Sequence, residues 1–266
     1  MQIPKLGFGT FRMSGDDVRR MVPAVINLGY RHIDTAQIYG NEEAVGDGIK
    51  ASGIDRADLF LTTKVWVDNF KTDSFRRSVE ESLAKLQTDY VDLLLLHWPS
   101  EAVPLADQIA ALNAVQQAGM ARQIGVSNYS TDLMTKAISL SQIPLSVNQV
   151  EYHPYLNQTP VLAAVHKADM TLTAYYAMAD GKVLADPVIR KIAADHGRSI
   201  AQIVLRWLVQ QDGVTVLSKT VSEERAAENA AIFDFKLSSE DMRKIHDLAR
   251  PDGRIVSPPG LAPIWD

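Results

Sequence analysis

Val91-Asp92-Leu93-Leu94-Leu95-Leu96-His97 is nearly all apolar and ends in a histidine. A strand covered on both faces reads this way, whereas a half-exposed strand alternates. Short β-branched or Leu-rich runs of the same kind recur at 5–10, 30–34, 59–64, 122–127, 145–150, 171–176 and 214–218. Helical patterns separate them. In 72–87 the apolar residues Phe75, Val79, Leu83 and Leu86 follow the helical period and form one stripe. Residues 161–167, 187–196 and 200–210 behave similarly. Eight strands alternating with helices argue for a parallel sheet. The count of eight favours a closed (β/α)8 TIM barrel over its competitor, an open doubly wound sheet. A last helix is expected over about 239–248, where Ser238 and Asp241 have capping-box spacing and Leu237 could staple onto Met242. The Pro- and Gly-containing tail, 250–266, reads as loop. With no repeat, low-complexity segment or linker, residues 1–266 read as a single domain.

The composition fits that frame. The chain has 266 residues, 46% of them hydrophobic and 22% charged, as globular proteins do. Its net charge of −5 argues against a nucleic-acid backbone as partner. The adjacent basic pairs Arg19-Arg20 and Arg76-Arg77 lie in helical patterns and read as solvated faces. The absence of cysteine removes disulfides, thiolate metal sites and cysteine nucleophiles, and fits a reducing compartment. The N-terminus has no basic start followed by an apolar run. The longest apolar stretch, 91–96, is far too short to span a bilayer. These features lead us to expect a cytoplasmic monomer without membrane or nucleic-acid partners.

In a barrel, chemistry sits where strands end. Strand two ends in Asp34, strand three in Lys64, strand four in His97 and strand five in Ser127-Asn128. Strand six carries Gln149, strand seven Tyr175, and strand eight runs into Lys219. Polar residues converging from seven strands suggest one site at the barrel mouth. Asp34, Lys64, His97 and nearby Tyr39 form an acid–base candidate. An ammonium beside a phenol lowers its pKa, and an aspartate would hold that ammonium in place. Such a tyrosine could donate a proton to a carbonyl oxygen near neutral pH. The same spacing equally fits a buried Asp34–Lys64 pair closing the barrel, with His97 a core histidine and Tyr39 a loop aromatic.

Beyond strand eight, Ser222 reads as a helix cap with Arg225 in the first turn. Lys219 and Arg225 near a helix N-terminus make sense if an anion binds there, although Arg225 could equally be a surface residue. Gly7 and Gly9 form a GxG without the rest of a dinucleotide fingerprint, so tight packing is the better reading. Phe11, Trp66, Trp98 and Trp265 lie near loops or the tail, where they could wall a pocket. The six histidines show no metal spacing, so no metal is expected, and Ser127 lacks a GxSxG context.

Specific motifs follow one another along the chain: Gly29-Tyr30-Arg31-His32-Ile33-Asp34-Thr35-Ala36-Gln37-Ile38-Tyr39-Gly40-Asn41-Glu42, Thr62-Thr63-Lys64-Val65-Trp66, Asp89 to Pro99, Ile124-Gly125-Val126-Ser127-Asn128, and Asn148-Gln149-Val150-Glu151-Tyr152-His153-Pro154. In order and spacing the sequence resembles the aldo-keto reductase family over essentially its whole length. The resemblance implies an NADPH-dependent carbonyl reductase. Its catalytic tetrad would be Asp34, Tyr39, Lys64 and His97, with Tyr39 as general acid. Ser127, Asn128 and Gln149 would hold the carboxamide of NADPH, and Tyr175 would stack on its nicotinamide. Lys219, Thr220, Arg225, Glu228 and Asn229 would meet its adenosine-phosphate end. Phe11, Trp66 and Trp98 are the expected substrate walls, for small-molecule carbonyl substrates such as 2,5-diketo-D-gluconate, methylglyoxal and simple aldehydes.

The sequence departs from the family's pattern in places. Only residues 1–5 precede strand one, where many relatives have a β-hairpin. Tyr176-Ala177-Met178 replaces the usual Ser-Pro-Leu, and Ser218 replaces a proline. The loop after Pro99 and the segment 177–186 are short, which implies an open site. The competing readings are an NADPH-binding redox sensor with little turnover, and an isomerase or aldolase using Lys64 as a Schiff base.

Overall fold

A computed structural model describes residues 2–266. Strands β1 (Leu6–Gly9), β2 (His32–Asp34), β3 (Phe60–Val65), β4 (Val91–Leu96), β5 (Ala121–Ser127), β6 (Leu145–Glu151), β7 (Thr171–Tyr175) and β8 (Val214–Ser218) pair in parallel, each with the next. Strand β8 returns to β1 with Phe8 opposite Ser218, which closes the barrel. Helices α1 (Gly15–Asn27), α2 (Glu42–Ser52), α3 (Thr72–Leu86), α4 (Leu105–Gln117), α5 (Thr131–Leu140) and α6 (Thr159–Lys167) each follow one strand. Helices α7 (Pro187–His196) and α8 (Ile200–Gln210) both lie between β7 and β8. Helices α9 (Glu223–Ala230) and α10 (Ser239–His246) come after β8.

The expected strand 30–34 begins only at His32. Tyr30 instead packs edge-on against Phe8, and its hydroxyl donates to the carbonyl of Ala226 at 3.1 Å. A tyrosine buries a large ring but needs a partner for its polar tip: the ring meets Phe8 of β1, and the tip a carbonyl of α9. Ser218, in place of the family's proline, lies 3.3 Å from that same hydroxyl. The capping box predicted at α10 is present, with Ser238 and Asp241 bonding each other's backbone N–H.

Inside the barrel Phe60, Leu93, Leu95 and Val147 form an apolar layer of their own. Ile3 packs against it, so one side chain from the short N-terminal segment meets the layer inside the barrel. Glycine matters where β1 crosses this interior. A Cβ on Gly7 would come within 2.7 Å of both His32 Nδ1 and Leu217 Cδ2, which confirms the packing reading for that residue. Gly9 has no comparable crowding and borders a large cleft. Among the described residues, no helix is long and apolar enough to cross a membrane.

Candidate active site

Register places the polar strand ends at one mouth of the barrel. Asp34 ends β2, while Lys64 is the penultimate residue of β3 and is fully buried. The Lys64 ammonium donates to the Asp34 carboxylate and, at 2.8 Å, to the carbonyl of Thr35. The other carboxylate oxygen of Asp34 accepts from Gln149 Nε2 at 2.8 Å. A buried ion pair costs several kcal/mol per ion in desolvation, which only close pairing and further hydrogen bonds offset. Both conditions hold here. Burial lowers the pKa of Lys64, and the attraction of Asp34 resists that shift.

Tyr39 closes a 3-10 turn, Gln37–Tyr39, between β2 and α2. Its ring centroid is 5.2 Å from Lys64 Nζ, 5.6 Å from the His97 ring and 5.0 Å from Phe11. The expectation that the ammonium would lower the pKa of this phenol is not met. Burial raises it well above the ordinary value, and the negative charge of Asp34 adds to the effect. Asp34 neutralises the lysine, so desolvation of the phenolate prevails. Tyr39 is therefore protonated at neutral pH. His97, the first residue beyond β4, is shifted well below its usual value by burial and then by Lys64, so it is neutral. Its Nδ1 has no partner among the described residues.

A second group lies beside the first. Asn128 Nδ2 donates to the His97 carbonyl at 3.0 Å and to Ser127 Oγ at 3.1 Å. Ser127 Oγ donates to the Gln149 carbonyl at 2.8 Å, and the Tyr175 hydroxyl donates to Asn128 Oδ1 at 2.6 Å. Asn128 takes a left-handed backbone at φ 64°, which asparagine tolerates better than most residues. One hydrogen-bonded chain thus fixes Tyr175, Asn128, Ser127 and Gln149 to the Asp34–Lys64 pair. At the far end, Lys219 and Arg225 are exposed and neither is in a salt bridge with a described residue. Ser222 caps α9 by accepting from Arg225 N, and Thr220 Oγ1 accepts from Ser222 N at 3.1 Å.

A cleft of about 1170 Å³ connects these groups. Phe11, Asp34, Tyr39, Trp66, His97, Trp98, Ser127, Asn128, Gln149, Tyr175, Lys219, Thr220, Arg225, Glu228 and Asn229 all border it. Lys64 does not, because it lies beneath Asp34 and Thr35. Trp265 is also absent from the wall. It stands behind Trp98, ring centroids 6.3 Å apart, with the Arg254 guanidinium 3.6 Å from its own centroid.

The sequence reading missed the device that docks the tail. Glu151, fully buried at the end of β6, accepts from the backbone N–H of Ile255 at 2.8 Å and of Val256 at 2.9 Å. His153 Nε2 lies 2.8 Å from the same carboxylate, and Arg254 Nη1 3.8 Å. Ile255, Val256, Ser257, Pro258 and Leu261 thereby become a wall of the cleft, which the short loops alone would have left open. A carboxylate ending an apolar strand beside a histidine was the available signal. Tyr176, Ala177, Met178, Ala179 and Asp180 form another part of the border. There Tyr176, Ala179 and Asp180 have φ of 64°, 47° and 55°, and the Tyr176 hydroxyl donates to Asp180 at 2.6 Å.

Comparison with known proteins agrees with this geometry. The model of the aldo/keto reductase family matches residues 5–250. The chain is 42% identical to methylglyoxal reductase DkgB of Salmonella typhimurium, over the full length of both. A crystal structure named as a 2,5-diketo-D-gluconic acid reductase B superposes with a TM-score of 0.98 at 61% identity, covering 99% of this chain and 94% of that one. A Gox0644 variant solved in complex with NADPH superposes with a TM-score of 0.89 at 35% identity, covering 96% and 93%. With the barrel, the buried Asp34–Lys64 pair and the matched sequence all in agreement, the chain belongs to the aldo/keto reductase family and is an oxidoreductase.

Proposed function

We propose that the protein is a single-domain cytoplasmic monomer that uses NADPH to reduce small aldehydes and ketones to alcohols, with Tyr39 as the proton donor. The observation that carries this reading is a protonated Tyr39 beside a neutral His97, above a buried Lys64–Asp34 pair, at the floor of a long cleft. A reduced nicotinamide bound there supplies the hydride. Tyr39 gives its proton to the carbonyl oxygen, and the Lys64 ammonium stabilises the phenolate that remains. His97, uncharged, orients the carbonyl without competing as a cation. Asp34 keeps Lys64 charged and in place.

The residues present suit the cofactor. Hydroxyl and amide groups of Ser127, Asn128 and Gln149 adjoin the tetrad, Tyr175 offers a fixed ring, and two unpaired cations stand at the other end. That order of groups fits a long ligand with a flat amide-bearing ring at one end and phosphate at the other. The relatives' names point to substrates such as methylglyoxal and 2,5-diketo-D-gluconate. Aromatic walls from Phe11, Trp66 and Trp98 leave room for aromatic aldehydes as well. A Schiff base on Lys64 is disfavoured because its amine does not border the cleft.

Tyr39→Phe keeps the ring and removes the acidic proton. General acid catalysis contributes about 10²–10⁴-fold, so turnover of methylglyoxal, followed by NADPH absorbance, should fall by that much while NADPH still binds. Near-parental turnover would sink the assignment.

A further inference from the structure

The turn that carries Tyr39 is held from behind by one amide. Gln37 opens that turn. Its Oε1 accepts from Trp66 N at 2.9 Å and from Asn69 Nδ2 at 3.1 Å. Its Nε2 donates to the Ser78 carbonyl at 3.1 Å and to Ser82 Oγ at 3.2 Å. A carboxamide offers two lone pairs and two N–H donors, so every bonding position of this side chain is filled and its orientation is set by its partners. The chain continues from there. Ser82 Oγ donates to Glu42 Oε2 at 3.2 Å, and Thr63 Oγ1 donates to Glu42 Oε1 at 2.6 Å. Glu42 is 2% exposed and opens α2.

The relay joins two pairs of flanks. Gln37 and Glu42 stand on either side of Tyr39. Thr63 and Trp66 stand on either side of Lys64. Ser78 and Ser82 of α3 bridge them. None of Gln37, Glu42, Thr63, Ser78 and Ser82 borders the substrate cleft. Gln37, Ser78 and Ser82 line a smaller pocket beside Trp66 instead, so their route to the reaction runs through the residues they hold.

We infer that Gln37 is a positioning residue for the reaction. By clamping the Tyr39 turn to the end of β3, it sets the separation of the Tyr39 hydroxyl from the Lys64 ammonium and holds the backbone of the pocket wall at Trp66. The inference rests on the reading of Tyr39 as proton donor. A misplacement of about 1 Å can cost on the order of a hundredfold in rate. A leucine fills nearly the same volume and makes none of the four bonds.

The experiment is a double-mutant cycle on the full-length protein with NADPH and methylglyoxal. Gln37→Leu should lower kcat about ten- to a hundredfold and leave NADPH affinity, read by fluorescence titration, at its parental value. In a Tyr39→Phe background the same change should cost nothing more, because residues that act as a unit are not additive. Ser82→Ala breaks the relay from α3 and should lower kcat in the same direction by less. It also serves if Gln37→Leu fails to fold. Parental kcat in the folded Gln37→Leu protein overturns the inference. So does a joint loss of kcat and NADPH affinity, which would mark general damage, or an additive loss on top of Tyr39→Phe. A Tyr39→Phe protein with parental turnover overturns the proton-donor reading and this inference with it. An inactive Tyr39→Phe protein beside a fully active Gln37→Leu protein overturns the inference alone.

Discussion

Arg225 and Lys219, neither in a salt bridge with a described residue, border the same cleft as Tyr39. NADPH and NADH differ only in the 2′-phosphate, so a preference must come from groups that meet it. A charge-assisted hydrogen bond contributes about 1.5–3 kcal/mol, or roughly ten- to a hundredfold in affinity. Arg225→Ala should weaken NADPH binding by that factor and leave NADH binding nearly unchanged, as fluorescence titration would show. Equal small losses for both cofactors would place the phosphate elsewhere. The residues of the tetrad were legible because a charge ending an apolar strand is costly and invites a reason. The protonation of Tyr39 was not. Proximity to Lys64 is readable from spacing, but the desolvation that outweighs it depends on what surrounds the ring, and spacing carries no such information. Gln37 escaped for a related reason: an amide between two apolar neighbours has no distinctive sequence signal, and its four partners come from two separate stretches of chain.

The strands were readable almost to the residue, since near-continuous apolar runs belong to parallel strands covered on both sides. Helices α3 and α7 bury stripes at the predicted positions, whereas α8 buries every residue from Gln202 to Val209 and is packed on all sides. The tail is the opposite case. Its Pro and Gly content correctly gives loop, but loop composition does not reveal a docking partner some hundred residues earlier in the chain. The partner is Glu151, which meets two backbone N–H groups and lies near an arginine and a histidine. Removing one partner from a buried charged cluster costs about 3–5 kcal/mol. In Glu151→Ala that cost should fall first on the tail, whose regular contacts are few. The expected result is fast amide exchange at Ile255 and Val256 and easy proteolysis after Arg254, with strand amides in β3 and β4 still protected. Protection lost equally in tail and barrel would show that Glu151 supports the whole fold instead.

The barrel as a unit should be sensitive to acid through its buried imidazoles. His32 lies inside it, 2.9 Å from Thr62 Oγ1 and edge-on to Phe60, and burial pushes its pKa from 6.5 down to about 4. The unfolded chain takes up this proton near 6.5, the folded chain only near 4. Between those values the unfolded state holds more protons, so stability is full above 6.5 and falls as the pH drops towards 4. At 1.36 kcal/mol per unit, His32 alone accounts for about 3 kcal/mol of loss, and His97 acts in the same direction. Thermal melts across that window should show a steady decline, flattened in His32→Asn. A melting temperature independent of pH there would contradict the buried neutral state. Closure of the barrel was inferred from a count of eight strands. The seating of Ile3 against its interior layer was not, because five leading residues seem too few to read as a plug until their neighbours are known.

The tail wall is built apart from the barrel that carries the floor of the cleft. Ile255, Val256, Ser257, Pro258 and Leu261 border the cleft, yet they lie outside every strand and helix of the barrel and are moored at one end by a carboxylate on β6. Their side chains can change while the mooring, made to backbone N–H groups, stays the same. Substitutions of Ile255, Val256 or Leu261 should therefore reshape the cleft without disturbing the barrel core or the Asp34–Lys64 pair.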